Sequence, residues 1–234
     1  MPTGAQEDPH QREGNSMSEL TRYRLWYARG TELRYVSHLD MMLVWERTFR
    51  RARLPLAFSQ GFNPRPRFHL ASALPLGFTS LCEVADVWLI ETLPPDEVQE
   101  RLQRAAPPGL TLQQVEIVPL NLPALQTLVL AAEYRIEFRE DAPVDLADRI
   151  AGLLEQREII RVRREKTYDL RPLIESLTLT TSSEGDKPIL LMRLSAKESA
   201  TARPEEVLLA LGIDPTTTRM ERTRLIFQDP IPAP

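Results

Sequence analysis

Along this chain the spacing of apolar residues switches between a two-residue and a three-to-four-residue rhythm, and each switch marks an element. Tyr23–Ala28, rich in β-formers, reads as a first strand closed by a turn at Arg29-Gly30. At Ser37-His38-Leu39-Asp40 the rhythm becomes helical. Ser37 at the N-cap and Asp40 three residues on make a capping box. The helix this predicts, to about Arg53, sets Met41, Met42, Trp45, Phe49 and Ala52 on one face and Arg47 and Arg51 on the other, and Leu54-Pro55 ends it.

A short strand is expected near Leu56–Phe58, then a loop over Ser59–Arg67, an extended run at Phe68–Ala71 and a turn at Leu74–Gly77. Glu83–Glu91 and Leu110–Val118 read as strands on either side of a helix at Pro95–Ala106 with proline in its first turn. After a linker holding Pro119 and Pro123 the order repeats. Strand Leu128–Phe138, helix Val144–Gln156, strand Ile159–Arg163, a hairpin of Ile174–Thr181 with Ile189–Ser195, helix Pro204–Leu211 and strand Arg219–Phe227 are expected. The fold class is therefore α+β, as two tandem ferredoxin-like (split βαβ) units with antiparallel sheets. The first unit spans 20–122 and the second 123–234; residues 1–19, without apolar periodicity, read as a disordered tail.

Composition narrows the chemistry. No run of 18 apolar residues is present, so no membrane partner is expected, and the N-terminus lacks the order of a signal peptide. The single cysteine, Cys82, precludes an internal disulfide, a cysteine-ligated zinc site and an iron–sulfur cluster, which suits a cytoplasmic protein with neither metal nor cofactor. Sequence motifs for nucleotide hydrolysis, Rossmann-type dehydrogenation, serine hydrolysis and zinc proteolysis are missing. The net charge is −4, yet Arg22–Arg67 holds ten arginines against three acids, and Arg157–Arg171 holds six basic residues against three acidic ones. A segregated basic region on an acidic chain attracts a polyanion locally.

The chemistry concentrates in Tyr35–Gly77. Gly61 supplies positive φ, Pro64 and Pro66 stiffen the loop and remove two amide donors, and Gly77 closes the following turn. Phe62, Asn63, Arg65 and Arg67 would then present a ring, an amide and cations together, which suits a stacked base and a phosphate backbone. Gln60 adds a base-edge contact, and Arg50 and Arg51 support from the helix. The alternative is a buried turn with Phe62 in the core and solvated arginines. His38 and Tyr35 are the weak candidates for acid–base chemistry, His38 being expected to pack on the apolar side over the sheet edge. Arg161-Val162-Arg163-Arg164 alternates as an edge strand would.

The run Arg34–Val87, with its SHLD and SQGFNPRP pieces, and the later TYDLRPLIESL resemble the radical-SAM-linked protein family, bacterial domain of unknown function 2344, over about Tyr23–Phe227. The resemblance implies a partner in RNA modification, tRNA or rRNA maturation, or ribosome assembly, and a radical-SAM protein as neighbour. It implies no activity. A radical-SAM cluster takes three cysteines, so such chemistry belongs to another polypeptide. The function expected is a non-catalytic RNA-binding or substrate-presenting accessory protein. The alternatives are a metal-independent endoribonuclease, for which a glycine-rich loop near the C-terminus is missing, and a purely protein-binding adaptor.

Overall fold

The computed structural model describes residues 20–228 except 164, 183 and 184, so the N-terminal tail lies outside the described residues. Strand β1 (Thr21–Arg29) is buried on both faces and lies between β3 (Phe78–Leu89) and β4 (Leu110–Val118), antiparallel to each. Helix α1 (His38–Arg51) starts as the capping box requires: Ser37 Oγ accepts from the Asp40 amide at 3.1 Å and donates to its carboxylate at 2.6 Å. It ends in a Schellman arrangement, Leu54 N donating to Phe49 O and Arg53 N to Arg50 O, which forces Arg53 to φ 52°.

The expected strand at Leu56–Phe58 reduces to two isolated bridges, Leu56 to Leu89 and Phe58 to Pro66. Two prolines near this segment withhold amide donors, so no ladder propagates. Strand β2 (Phe68–Leu70) pairs with the Ala85–Val87 end of β3, which begins five residues before the expected Glu83. Helix α2 (Pro95–Ala105) leads into β4.

The second half follows with β5 (Val129–Phe138), α3 (Leu146–Glu155), β6 (Ile160–Arg163), β7 (Lys166–Asp169), β8 (Ile174–Ser182), β9 (Gly185–Lys197), β10 (Ala200–Thr201), α4 (Pro204–Ala210) and β11 (Thr218–Phe227). Strand β6 was expected to belong to the main sheet. It pairs only with β7, as a separate two-stranded ribbon, and β8 takes the place beside β9.

The main sheet has nine strands in the order β10-β9-β5-β11-β3-β1-β4, with β2 also on β3 and β8 also on β9. Within the halves the orders are β4-β1-β3-β2 and β11-β5-β9-β8, every neighbour antiparallel. The halves join where β11 runs parallel to β3, Met220 opposite Phe78 and Arg222 opposite Ser80. The result is a mixed α+β fold on one large, mostly antiparallel sheet.

Two cores flank that sheet. Tyr23, Leu25 and Tyr27 pack with Trp45 and Phe49 of α1 and Val98 and Leu102 of α2. The aromatic members touch edge to face, Tyr27 to Trp45 at 4.9 Å and Phe49 to Phe68 at 5.0 Å. Trp26 and Val84, on the opposite face of β1 and β3, join Leu146, Ile150 and Leu153 of α3 and Val207 and Leu208 of α4. The two helix pairs therefore cover opposite faces. Among the described residues no helix is long and apolar enough to cross a membrane.

Candidate functional site

The loop after α1 is held at its neck. Besides the Phe58–Pro66 bridge, Ser59 N donates to Arg65 O at 2.8 Å and Arg65 N to Ser59 Oγ at 3.1 Å. The tip between them projects: Gly61 adopts φ 135°, and nothing lies within 4 Å of where its Cβ would stand. Phe62 stands fully in solvent, at a relative exposure of 106 %, so the buried-turn alternative is not what forms. Gln60, Asn63 and Arg65 are exposed beside it, and Pro64 shares the tip while Pro66 closes the neck.

Arg67 leaves the loop and joins a second arrangement. Its backbone bonds to Ala57 O and from Trp88 N tie the loop to β3. Its guanidinium lies 4.7 Å from the Trp88 ring centroid and that of Arg22 lies 5.0 Å away, so one indole meets two cations. His69 meets the same ring edge on at 5.2 Å, its pKa lowered by burial and then by Arg67. Beneath them Asp86, wholly buried, accepts from Arg22 Nε (2.9 Å) and Nη2 (2.5 Å) and from Arg24 Nε (2.8 Å). Arg22 also donates to Leu122 O and Pro123 O, fixing the linker.

The basic stretch thus divides by use. Arg22, Arg24 and Arg29 are buried, Arg29 donating to Leu33 O and Val36 O, and Arg34 donates to Gly77 O. Arg47, Arg50, Arg51, Arg53, Arg65 and Arg67 are the exposed members.

Arg50 and Arg51 sit in the last turn of α1, whereas His38 opens its first, so the helix separates them by about 18 Å at ~1.5 Å per residue. His38 is exposed rather than packed over the sheet edge, because the N-terminal turn of α1 overhangs a cavity instead of the core. Tyr35 is exposed too, its ring 4.0 Å from where a Cβ on Gly77 would stand. Gly77 itself has φ 87°.

That cavity, of about 710 Å³, lies between the halves. Its walls come from Ser37 and His38, the Ser72–Leu76 connection and the start of α4. Arg222 of β11 lies at its edge, 1 % exposed, donating to Glu83 Oε1 at 3.0 Å and Ala73 O at 2.7 Å and lying 5.7 Å from the Tyr134 ring centroid. Burial alone would lower the Arg222 pKa, but Glu83 and then Tyr134 reverse the sign and hold it above its ordinary value. Sequence reasoning passed over Trp88, Glu83 and Arg222. The available signal was charge at interior positions of strands otherwise made of β-formers.

Fold and site together define a mixed α+β protein with a projecting cationic loop and a polar cavity between its halves. Residues 22–204 match the family described as uncharacterized protein conserved in bacteria (DUF2344), and the chain belongs to it. No curated protein matches the chain. Among solved structures, a chain in the crystal structure of a Cbf5-Nop10-Gar1 complex is similar at 12 % identity and a TM-score of 0.43. The similarity covers 89 % of this chain and 50 % of that one.

Proposed function

We propose that this protein is a non-catalytic RNA-binding or substrate-presenting accessory protein, built of two ferredoxin-like units and working beside a radical-SAM enzyme in RNA modification, RNA maturation or ribosome assembly. The observation that carries the reading is the loop tip. The Phe62 ring stands fully in solvent with both faces open, and Gln60, Asn63 and Arg65 are exposed beside it. A base stacks on such a ring while its phosphate meets an arginine, and neither contact needs a fixed sequence. The strand orders of the two halves, β4-β1-β3-β2 and β11-β5-β9-β8, support the ferredoxin-like units. The radical-SAM neighbour rests on the family resemblance and on the single cysteine, too few for a cluster. RNA cleavage is less well supported, since His38 and Tyr35 stand at the end of α1 away from Arg50 and Arg51.

The test is binding of structured RNA from the host across a salt series, comparing wild type with Arg65→Glu/Arg67→Glu. Log affinity is expected to fall linearly with log salt by roughly 0.7–0.9 per phosphate contact, with a shallower slope in the variant. Equal affinity and slope in the two proteins would remove the loop from the interface.

A further inference from the structure

The cationic edge of the loop continues past its neck onto β2. Phe68 and Leu70 turn into the core, so the alternating positions Arg65, Arg67 and His69 all come to solvent. At ~3.3 Å per residue, successive members of this row stand about 6.6 Å apart. Neither Arg65 nor Arg67 has an ion pair among the described residues. Stacking on Trp88 uses the face of the Arg67 guanidinium and leaves its N–H edge free.

His69 sits where cations outnumber anions. The register sets Asp86 of β3 opposite His69, and Arg24 of β1 opposite Asp86. That carboxylate is already taken by Arg22 and Arg24. On its own strand His69 has Arg67, and both rings meet on Trp88, which Arg22 also covers. The cavity that His69 borders holds His38, Arg163, Glu198, Arg203 and Glu205 as its other charged or titratable groups near this end, with Arg222 paired to Glu83. Burial first, and Arg67 next, hold the imidazole pKa below its ordinary value, Asp86 opposing and Arg22 adding to the fall. The ring is therefore mostly neutral at pH 7 in the free protein. An anion beside it would change that.

We propose that His69 is a further contact of the RNA site: the row Arg65, Arg67, His69 follows the phosphates of a single-stranded stretch, and His69 takes up a proton as the RNA settles on it. This rests on the loop reading and deepens it, because it sets the course of the strand from Phe62 at the tip towards β2 and ties affinity to pH. Phosphate favours the charged imidazole, so the proton is held in the complex and not in the free protein. Affinity then rises as pH falls through the imidazole range, and levels off once the free protein is protonated too.

Calorimetric titration of the full chain with a 5′-hydroxyl uridine octanucleotide, which has no group titrating in this range, tests the proposal at about pH 5.5 and about pH 7.5. Wild type is expected to bind about fivefold or more tighter at the lower pH. The salt slope should be steeper there by roughly 0.7, one added contact on a single strand. Midway between, buffers of unlike ionisation heat should report proton uptake on binding. His69→Gln should lose the pH dependence, the extra slope and the uptake, whereas His38→Gln should keep all three. His69→Arg, cationic throughout, should show the steeper slope at both pH values. Melting temperature checks folding at each pH, and if His69→Arg loses its fold, His69→Gln decides. RNA binding that needs Arg65 and Arg67 but ignores pH, or whose pH dependence survives in His69→Gln, overturns this inference and leaves the loop reading standing. Absence of binding, or binding unchanged in Arg65→Glu/Arg67→Glu, overturns both.

Discussion

Removing Glu83 should destabilise the fold far more than removing a surface acid. Its carboxylate, 3 % exposed, receives Arg222 from β11 across the junction of the halves at 3.0 Å. In Glu83→Ala the Arg222 guanidinium, 1 % exposed in the wild type and bonded to Ala73 O, loses its counter-charge. Stranding one member of a buried pair costs about 3–5 kcal/mol. For a chain of this size each kcal/mol moves the melting temperature by about 2–4 °C, so a drop of roughly 6–20 °C is expected. Replacing both members, as Glu83→Ala/Arg222→Met, should recover most of the loss, since an apolar replacement of a buried pair is often neutral. Urea denaturation of wild type, Glu83→Ala, Arg222→Met and the double variant at one pH gives the coupling between the two positions, expected at about 2 kcal/mol or more. A Glu83→Ala protein within 1 kcal/mol of wild type, or a double variant no better than the single, would refute the view that this pair holds the junction.

Asp86→Asn should cost about 3–5 kcal/mol in the same assay, because Arg22 and Arg24, both buried, share that carboxylate; a loss under 1 kcal/mol would contradict the arrangement. Arg53→Gly should stabilise by about 0.5–1 kcal/mol, since Arg53 holds φ 52° at the helix end where glycine is unstrained; an unchanged denaturation midpoint would count against that strain. The Cys82 thiol, pushed up to about 12 by burial and then by Glu83, should alkylate at pH 8 about a thousandfold slower in the folded than in the unfolded chain. Its folded pKa lies above the unfolded value, so the associated stability is complete below about pH 9 and fades as pH rises towards 12. Rapid native labelling would show the thiol to be ordinary.

Local chemistry made much of the fold legible. The Ser37–Asp40 box and the stripe from Met41 to Ala52 placed α1 to within two residues, and Pro95 placed the start of α2. What stayed hidden depends on partners distant in sequence. Strand β3 starts at Phe78 because β11, about 140 residues on, pairs with Phe78–Ser80. The alternation at Arg161–Arg163 is satisfied by β7 in a separate ribbon, so a strand was legible there but its sheet was not. Arg22 and Arg24 counted as basic surface, and only Asp86, more than 60 residues away, buries them. At the loop, proline and glycine spacing announced a stiff turn, while the exposure of Phe62 and the stacking of Arg67 on Trp88 follow from how that turn is anchored to β3.

The central claim, that RNA is held at the projecting loop, is tested most directly by ultraviolet crosslinking of wild-type protein to bound RNA, followed by peptide mapping. The account predicts adducts on the peptide carrying Phe62, lost in Phe62→Ala although that variant keeps its melting temperature, because the ring touches nothing that holds the fold. Adducts confined to other peptides, and undiminished in Phe62→Ala, would contradict it.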